Sequence, residues 1–82
     1  MSKASSNAAA IFGANVIHYL ERRGKSAYWL TKELGASPGA IYPILRGKVQ
    51  PAIGTAAMIA DTLGVRVDTL LKPPQEKSEN KS

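Results

Sequence analysis

The sequence predicts an all-α domain, a compact bundle of five helices, on three observations. Apolar residues recur at helical spacing: Ala56, Ile59, Ala60 and Leu63 fill i, i+3, i+4 and i+7 completely. Glycines follow these stripes at Gly24, Gly35, Gly47 and Gly64, each just past the last apolar residue, where a helix C-terminus favours a left-handed residue. No alternating run long enough to make a strand competes with them.

The elements follow in order. Phe12, Val16, Ile17 and Leu20 mark a stripe that predicts a first helix over about 7–23, closed by Gly24. Ala27, Leu30 and Leu34 predict a second helix over 26–34, with Ser26 as N-cap. Ile41, Ile44 and Leu45 predict a third over 37–46; Ser37 caps it and Pro38 suits its first position. The fourth stripe predicts 53–63, and Val67, Leu70 and Leu71 a short fifth helix near 67–71. Residues 1–6 are small and polar and read as a flexible N-terminus. The tail 73–82 has no apolar residue beyond its two prolines and reads as disordered. One domain, 7–72, lies between them.

Composition narrows the function. Eighty-two residues exclude large enzyme folds. A chain this short buries only about 60% of its unfolded surface, so association is a natural source of extra stability. Eleven Lys and Arg against six acids give a net charge of +5. Lys77 and Lys81 balance Glu76 and Glu79 in the tail, so the whole excess sits in residues 1–72. Such a balance favours an anionic partner, nucleic acid foremost. Cysteine is absent, and His18 stands alone, which leaves no ordinary zinc site and no cofactor to expect. No apolar run reaches membrane-spanning length, so a cytoplasmic chain without membrane contact is the expectation. No carboxylate pair, Ser/His/Asp set or phosphate loop is offered for catalysis; the chain is not expected to be an enzyme.

The second and third helices are separated by little more than Gly35 and Ala36, with Ser37 as cap. Two short helices joined by a tight glycine turn form a helix-turn-helix, here at about 26–46. One such helix crosses a DNA backbone while the other enters the major groove. The segment R-R-G-K-S-A-Y-W-L-T-K-E-L-G-A-S-P-G-A-I-Y-P-I-L-R-G-K resembles the helix-turn-helix of phage repressors of the Cro/C1 type, the lambda repressor-like DNA-binding domains. Pro51 and then I-A-D-T-L-G-V-R-V-D-T-L-L are similar to that family's fourth and fifth helices. The resemblance covers roughly residues 11–72.

It implies a five-helix domain that binds operator DNA, commonly as a dimer on a two-fold site. Helix 37–46 is then the recognition helix. Ser37, Pro38, Gly39, Tyr42 and Pro43 fall where the family places groove-facing residues. Ser26 and Ala27 fall where the second helix meets phosphate, with Lys25 beside them, and Arg46 and Lys48 in the loop that flanks the backbone. The resemblance also places a dimer contact at Val65, Val67, Leu70 and Leu71, residues that by themselves read more readily as core.

Several positions depart from the pattern. Ala27 stands where a phosphate-binding glutamine is often seen. Thr31 replaces a usual alanine, its hydroxyl expected to bond to the carbonyl four residues earlier. The groove face offers no Arg, Gln or Asn before Arg46, although those side chains make the strongest base pairings. Pro43 removes the bond to the Gly39 carbonyl, at roughly 3 kcal/mol in an unadapted helix, which predicts a kinked or shortened recognition helix. Specificity then leans on Tyr42, Arg46 and DNA shape. Tyr42 is expected off the core face, and Trp29 over the edge of the core.

The function read from these residues is a sequence-specific DNA-binding transcriptional regulator, a phage-like repressor acting as a homodimer on a palindromic double-stranded operator. The alternatives are an antitoxin that uses the same fold to hold a toxin, with Trp29, Tyr19 and the tail as its partner surface, and a helix-turn-helix turned protein-interaction module.

Overall fold

The structure, a computed structural model, describes residues 2–72, with side chains from Ala8 onward. Among these residues the chain forms α1 (Ser2–Arg22), α2 (Ala27–Leu34), α3 (Pro38–Leu45), α4 (Ile53–Leu63) and α5 (Val67–Leu70), and no strand. The all-α, five-helix class expected from the apolar spacing is therefore the observed one. The tail expected to be disordered lies outside the described residues. α1 begins at Ser2, within the 1–6 segment expected to be flexible, rather than near residue 7. Once a helix is nucleated each further residue costs little, and the alanine run from Ala8 to Ala10 favours extension.

The four helix ends share one chemistry. Gly24, Gly35, Gly47 and Gly64 all have φ between +67 and +75, the left-handed region that leaves glycine without a Cβ clash. At each end two amides fold back on the last turn: Lys25 N–H donates to Leu20 O, Ala36 to Thr31, Lys48 to Pro43 and Val65 to Ala60, at 2.9 to 3.0 Å. Each glycine N–H donates to the carbonyl three residues before it, which completes the Schellman arrangement. The N-terminal caps are unequal. Ser26 Oγ accepts from the Trp29 N–H at 3.0 Å. Ser37 occupies the cap position of α3 with extended backbone, and its carbonyl accepts the Ala40 and Ile41 amides at 3.0 and 3.3 Å, but its hydroxyl accepts no cap bond; Pro38 at N1 removes one of the unpaired amides of the helix start.

α1 packs against α3, α4 and α5, and α2 against α3 and α4. Phe12, Val16 and Leu20 of α1 meet Leu30, Ile41, Ile44, Ile59, Leu63 and Leu70 in one buried cluster. Ile17, expected in the α1 stripe, is instead 38% exposed: it falls on the flank of that stripe and lines a cleft beside the end of α3. Leu70 is fully buried while Leu71 is half exposed, so the fifth helix divides between core and surface. Thr31 is buried, and its hydroxyl donates to Tyr28 O at 2.7 Å, three residues back rather than four. The closer carbonyl is the one its rotamer reaches while Cβ faces the core.

Candidate nucleic-acid interface

α3 carries the candidate recognition surface. It runs over 38–45, one residue shorter at each end than the predicted 37–46. Pro43 sits inside it, third from the end of the helix, and its carbonyl accepts the Lys48 N–H at 3.0 Å. The Gly39 carbonyl, which Pro43 leaves without its intrahelical donor, belongs to an exposed residue of the first turn, where water can reach it. Ser37, Pro38 and Gly39 are exposed, and Pro43 is half-buried. With no cap bond in the fold, the Ser37 hydroxyl is available to a ligand.

Lys25, Ser26, Tyr42 and Arg46 line one cleft of about 350 Å³, together with Ile17, Leu20, Glu21, Ala27 and Leu45. It lies where the end of α1, the start of α2 and the end of α3 converge. Four of the nine sequence-predicted site residues are thus brought together, Lys25 and Ser26 from the turn before α2 and Tyr42 and Arg46 from the end of α3. Lys48 is exposed two residues beyond Arg46, outside this cleft. Tyr42 differs from expectation: it is half-buried and leans on the core. Its ring lines the cleft it shares with Lys25 and Ser26 of the α1–α2 corner. Val49, the alternative packing partner, is 48% exposed.

Aromatic rings hold several cations. Lys25 Nζ lies 5.2 Å from the Trp29 ring centre, Arg23 Cζ 5.4 Å from Tyr19, and Lys32 Nζ 5.4 Å from Tyr28. At such exposed sites each contact contributes about 0.5–1 kcal/mol, enough to bias a side chain without fixing it. The Arg23 guanidinium also donates to its own helix, to Tyr19 O at 3.4 Å. That bond turns it towards the α1 terminus. Trp29 and Tyr19 are both half-buried against the core, in line with the edge-covering role expected of the tryptophan. His18 is exposed and meets Tyr19 edge-on. Among the described residues no group of three or more metal-ligating side chains occurs, and no helix is long and apolar enough to cross a membrane.

Two residues of α1 escaped the sequence reading. Asn15 is buried, and its Nδ2 donates to Leu70 O and Lys72 O, both at 2.8 Å, tying the end of α5 to α1. The available signal was a polar residue three positions after Phe12, on the buried face. Gly13 sits mid-helix, where glycine costs about 1 kcal/mol relative to alanine. A Cβ there would lie 2.6 Å from the carbonyl oxygens of both Ile44 and Leu45. Its signal was an isolated glycine inside a helical stripe. A second feature is an apolar groove of about 240 Å³ where Ala8 and Phe12 of α1 meet Ile53 and Ala57 of α4 and Val67 and Leu71 beside α5. Ile53 on its rim is 88% exposed.

No protein-family model and no curated protein matches the chain. Among solved structures, it is similar to a crystal structure of a hypothetical transcription factor, NHTF, from Neisseria. The TM-score is 0.80 at 25% sequence identity, over 88% of this chain and 83% of that one. The likeness covers most of the chain, so its all-helical fold is shared with a protein described as a hypothetical transcription factor.

Proposed function

We propose that this chain is a sequence-specific DNA-binding transcriptional regulator, a repressor of the Cro/C1 type that binds a palindromic operator as a homodimer. The observation that carries the reading is the convergence of Lys25, Ser26, Tyr42 and Arg46 on one cleft beside α3, in a fold shared with a hypothetical transcription factor. Lys25, Arg46 and Lys48 meet phosphates and release counterions, which supplies affinity without sequence preference. The start of α3 enters the major groove. There the Ser37 hydroxyl serves as donor or acceptor, and Pro38 and Pro43 offer apolar contact to thymine methyl groups. Because this face has few hydrogen-bonding groups, discrimination comes in large part from the deformability of the bound duplex.

The homodimer draws support from the apolar groove and from Ile53 and Leu71, large side chains left at the surface. Two copies joined there present their α3 helices to half-sites about one helical turn apart, roughly 34 Å. Selection of bound sequences from a random DNA pool, followed by competition with random duplex, tests the function. The expected product is a palindrome that outcompetes random DNA at least a thousandfold, about the lower range for specific binders. Equal competition at physiological salt would falsify the proposal.

A protein-interaction module remains the second reading, favoured by the sparse hydrogen-bonding groups between 37 and 43. Unchanged DNA affinity in the double variant Arg46→Ala, Lys48→Ala would select it. The antitoxin alternative, in which one surface of the same fold holds DNA and another a toxin, is less supported, since Trp29 and Tyr19 lean on the core and present only part of their surface.

A further inference from the structure

We propose that Gly13 of α1 is a positioning residue for DNA discrimination: it seats the C-terminal end of α3 and so sets how the recognition helix is presented. The inference rests on the proposed DNA-binding role of α3. The buried middle of α1 approaches the end of α3 backbone to backbone. A Cβ on Gly13 would meet Ile44 O and Leu45 O at 2.6 Å and the Leu45 carbonyl carbon at 3.0 Å. These are backbone atoms of the last helical turn, so neither side can yield by a rotamer change. The same seat recurs one turn earlier on α1. A Cβ on Gly47, which has φ +75, would lie 2.9 Å from the Cα of Ala10. Ala10 and Gly13 lie three residues apart, on one face of α1. That face therefore receives both the last carbonyls of α3 and the turn that closes it.

The seat lies directly behind the residues assigned to DNA. Tyr42 precedes Ile44 by two residues, Arg46 follows Leu45, and the Lys48 N–H closes the turn through Pro43 O. A displacement of this end tilts α3 as a rigid unit and shifts its groove-facing Ser37, Pro38, Tyr42 and Pro43, while Arg46 and Lys48, exposed on long flexible side chains, still reach phosphate. Recognition of base edges depends on sub-ångström placement, whereas attraction between a basic surface and the phosphate backbone does not. Moving the seat therefore alters discrimination and spares non-specific affinity. A purely structural role behaves differently: loss of folded protein lowers specific and random binding by the same factor.

The experiment compares the wild-type chain with Gly13→Ala, Ala10→Val and Ile59→Val, the last trimming the core on α4 as a control. Each is measured for affinity to a duplex selected by the wild-type protein and to random duplex, and its amide resonances are mapped. In Gly13→Ala the ratio of selected to random affinity should fall roughly tenfold, the scale of one lost base contact. Its resonance changes should concentrate in residues 37–48, and Ile59→Val should keep the wild-type ratio. A folded Gly13→Ala with the wild-type ratio overturns the proposal. If Gly13→Ala does not fold, Ala10→Val decides. Ala10 is exposed, so the added methyl groups press on the Gly47 turn without entering the core; a lowered ratio supports the seat and an unchanged one overturns it. If the wild-type chain does not discriminate between DNA sequences, the functional reading fails by itself. The resonance map then decides the seat, with changes spread evenly over all helices counting against it.

Discussion

Single side chains contribute to two separable properties, attraction to DNA and integrity of the fold. Arg46 and Lys48 are exposed and follow α3 directly. Arg46→Ala and Lys48→Ala are each expected to weaken binding across all duplex sequences and to reduce the slope of log affinity against log salt by about 1. Affinity measured between low and physiological salt reads this slope. Asn15 belongs to the other property. Asn15→Ala removes both donors to Leu70 O and Lys72 O, and the Leu70 carbonyl stays in a buried setting. A loss of about 2 kcal/mol in urea denaturation is expected, from the unsatisfied acceptor and the small cavity together. Both carbonyls lie more than fifty residues away in sequence. Asn15 could therefore be seen in the sequence only as a polar interruption of a stripe; its partners are created by the packing of α5 on α1.

Helix ends carry the next level of organisation. Gly24 and Gly35 have nothing within 4 Å of a built Cβ, so alanine at either position meets only the backbone strain of positive φ. Gly35→Ala is expected to destabilise by about 1–2 kcal/mol. Gly47→Ala adds a collision with the backbone of Ala10 and is expected to cost clearly more; thermal denaturation of the two variants side by side gives the comparison. Pro43 gives the opposite prediction. Pro43→Ala restores a donor to the Gly39 carbonyl, a gain of about 2 kcal/mol, below the roughly 3 kcal/mol of an unadapted helix because Gly39 is exposed. Greater freedom of the unfolded chain offsets about 1 kcal/mol of it. A net stabilisation of about 1 kcal/mol is expected, together with a changed selected DNA sequence, because the same substitution alters the groove face. The four glycine ends were legible in the sequence, since each glycine follows an apolar stripe and the local backbone decides the conformation. The inward lean of Tyr42 was not legible, because helical period alone does not tell which neighbour covers a flank.

The whole molecule is a small domain with an apolar groove and an 88%-exposed isoleucine on one side. If a second copy covers that side, Ile53→Asp and Leu71→Glu should convert a dimer to a monomer by light scattering. Each should also weaken operator binding by more than it weakens binding to a single half-site. The melting temperature of the wild-type chain should rise with protein concentration, as mass action requires of a dimer that binds in its folded form. A strict monomer at all concentrations, with and without DNA, removes the homodimer from the proposal.

The amino-acid sequence by itself determined the helical class, the number of helices, the glycine turns, the Ser26 cap, and the tight Gly35 corner that makes a helix-turn-helix. These depend on local spacing and backbone preference, which neighbouring residues settle among themselves. The tertiary structure alone decided that Tyr42 closes a cleft with Lys25, Ser26 and Arg46, that Asn15 holds the end of α5, and that Gly13 admits α3 at backbone contact. Those contacts join residues far apart in the chain, and close packing, not local preference, fixes which atoms meet.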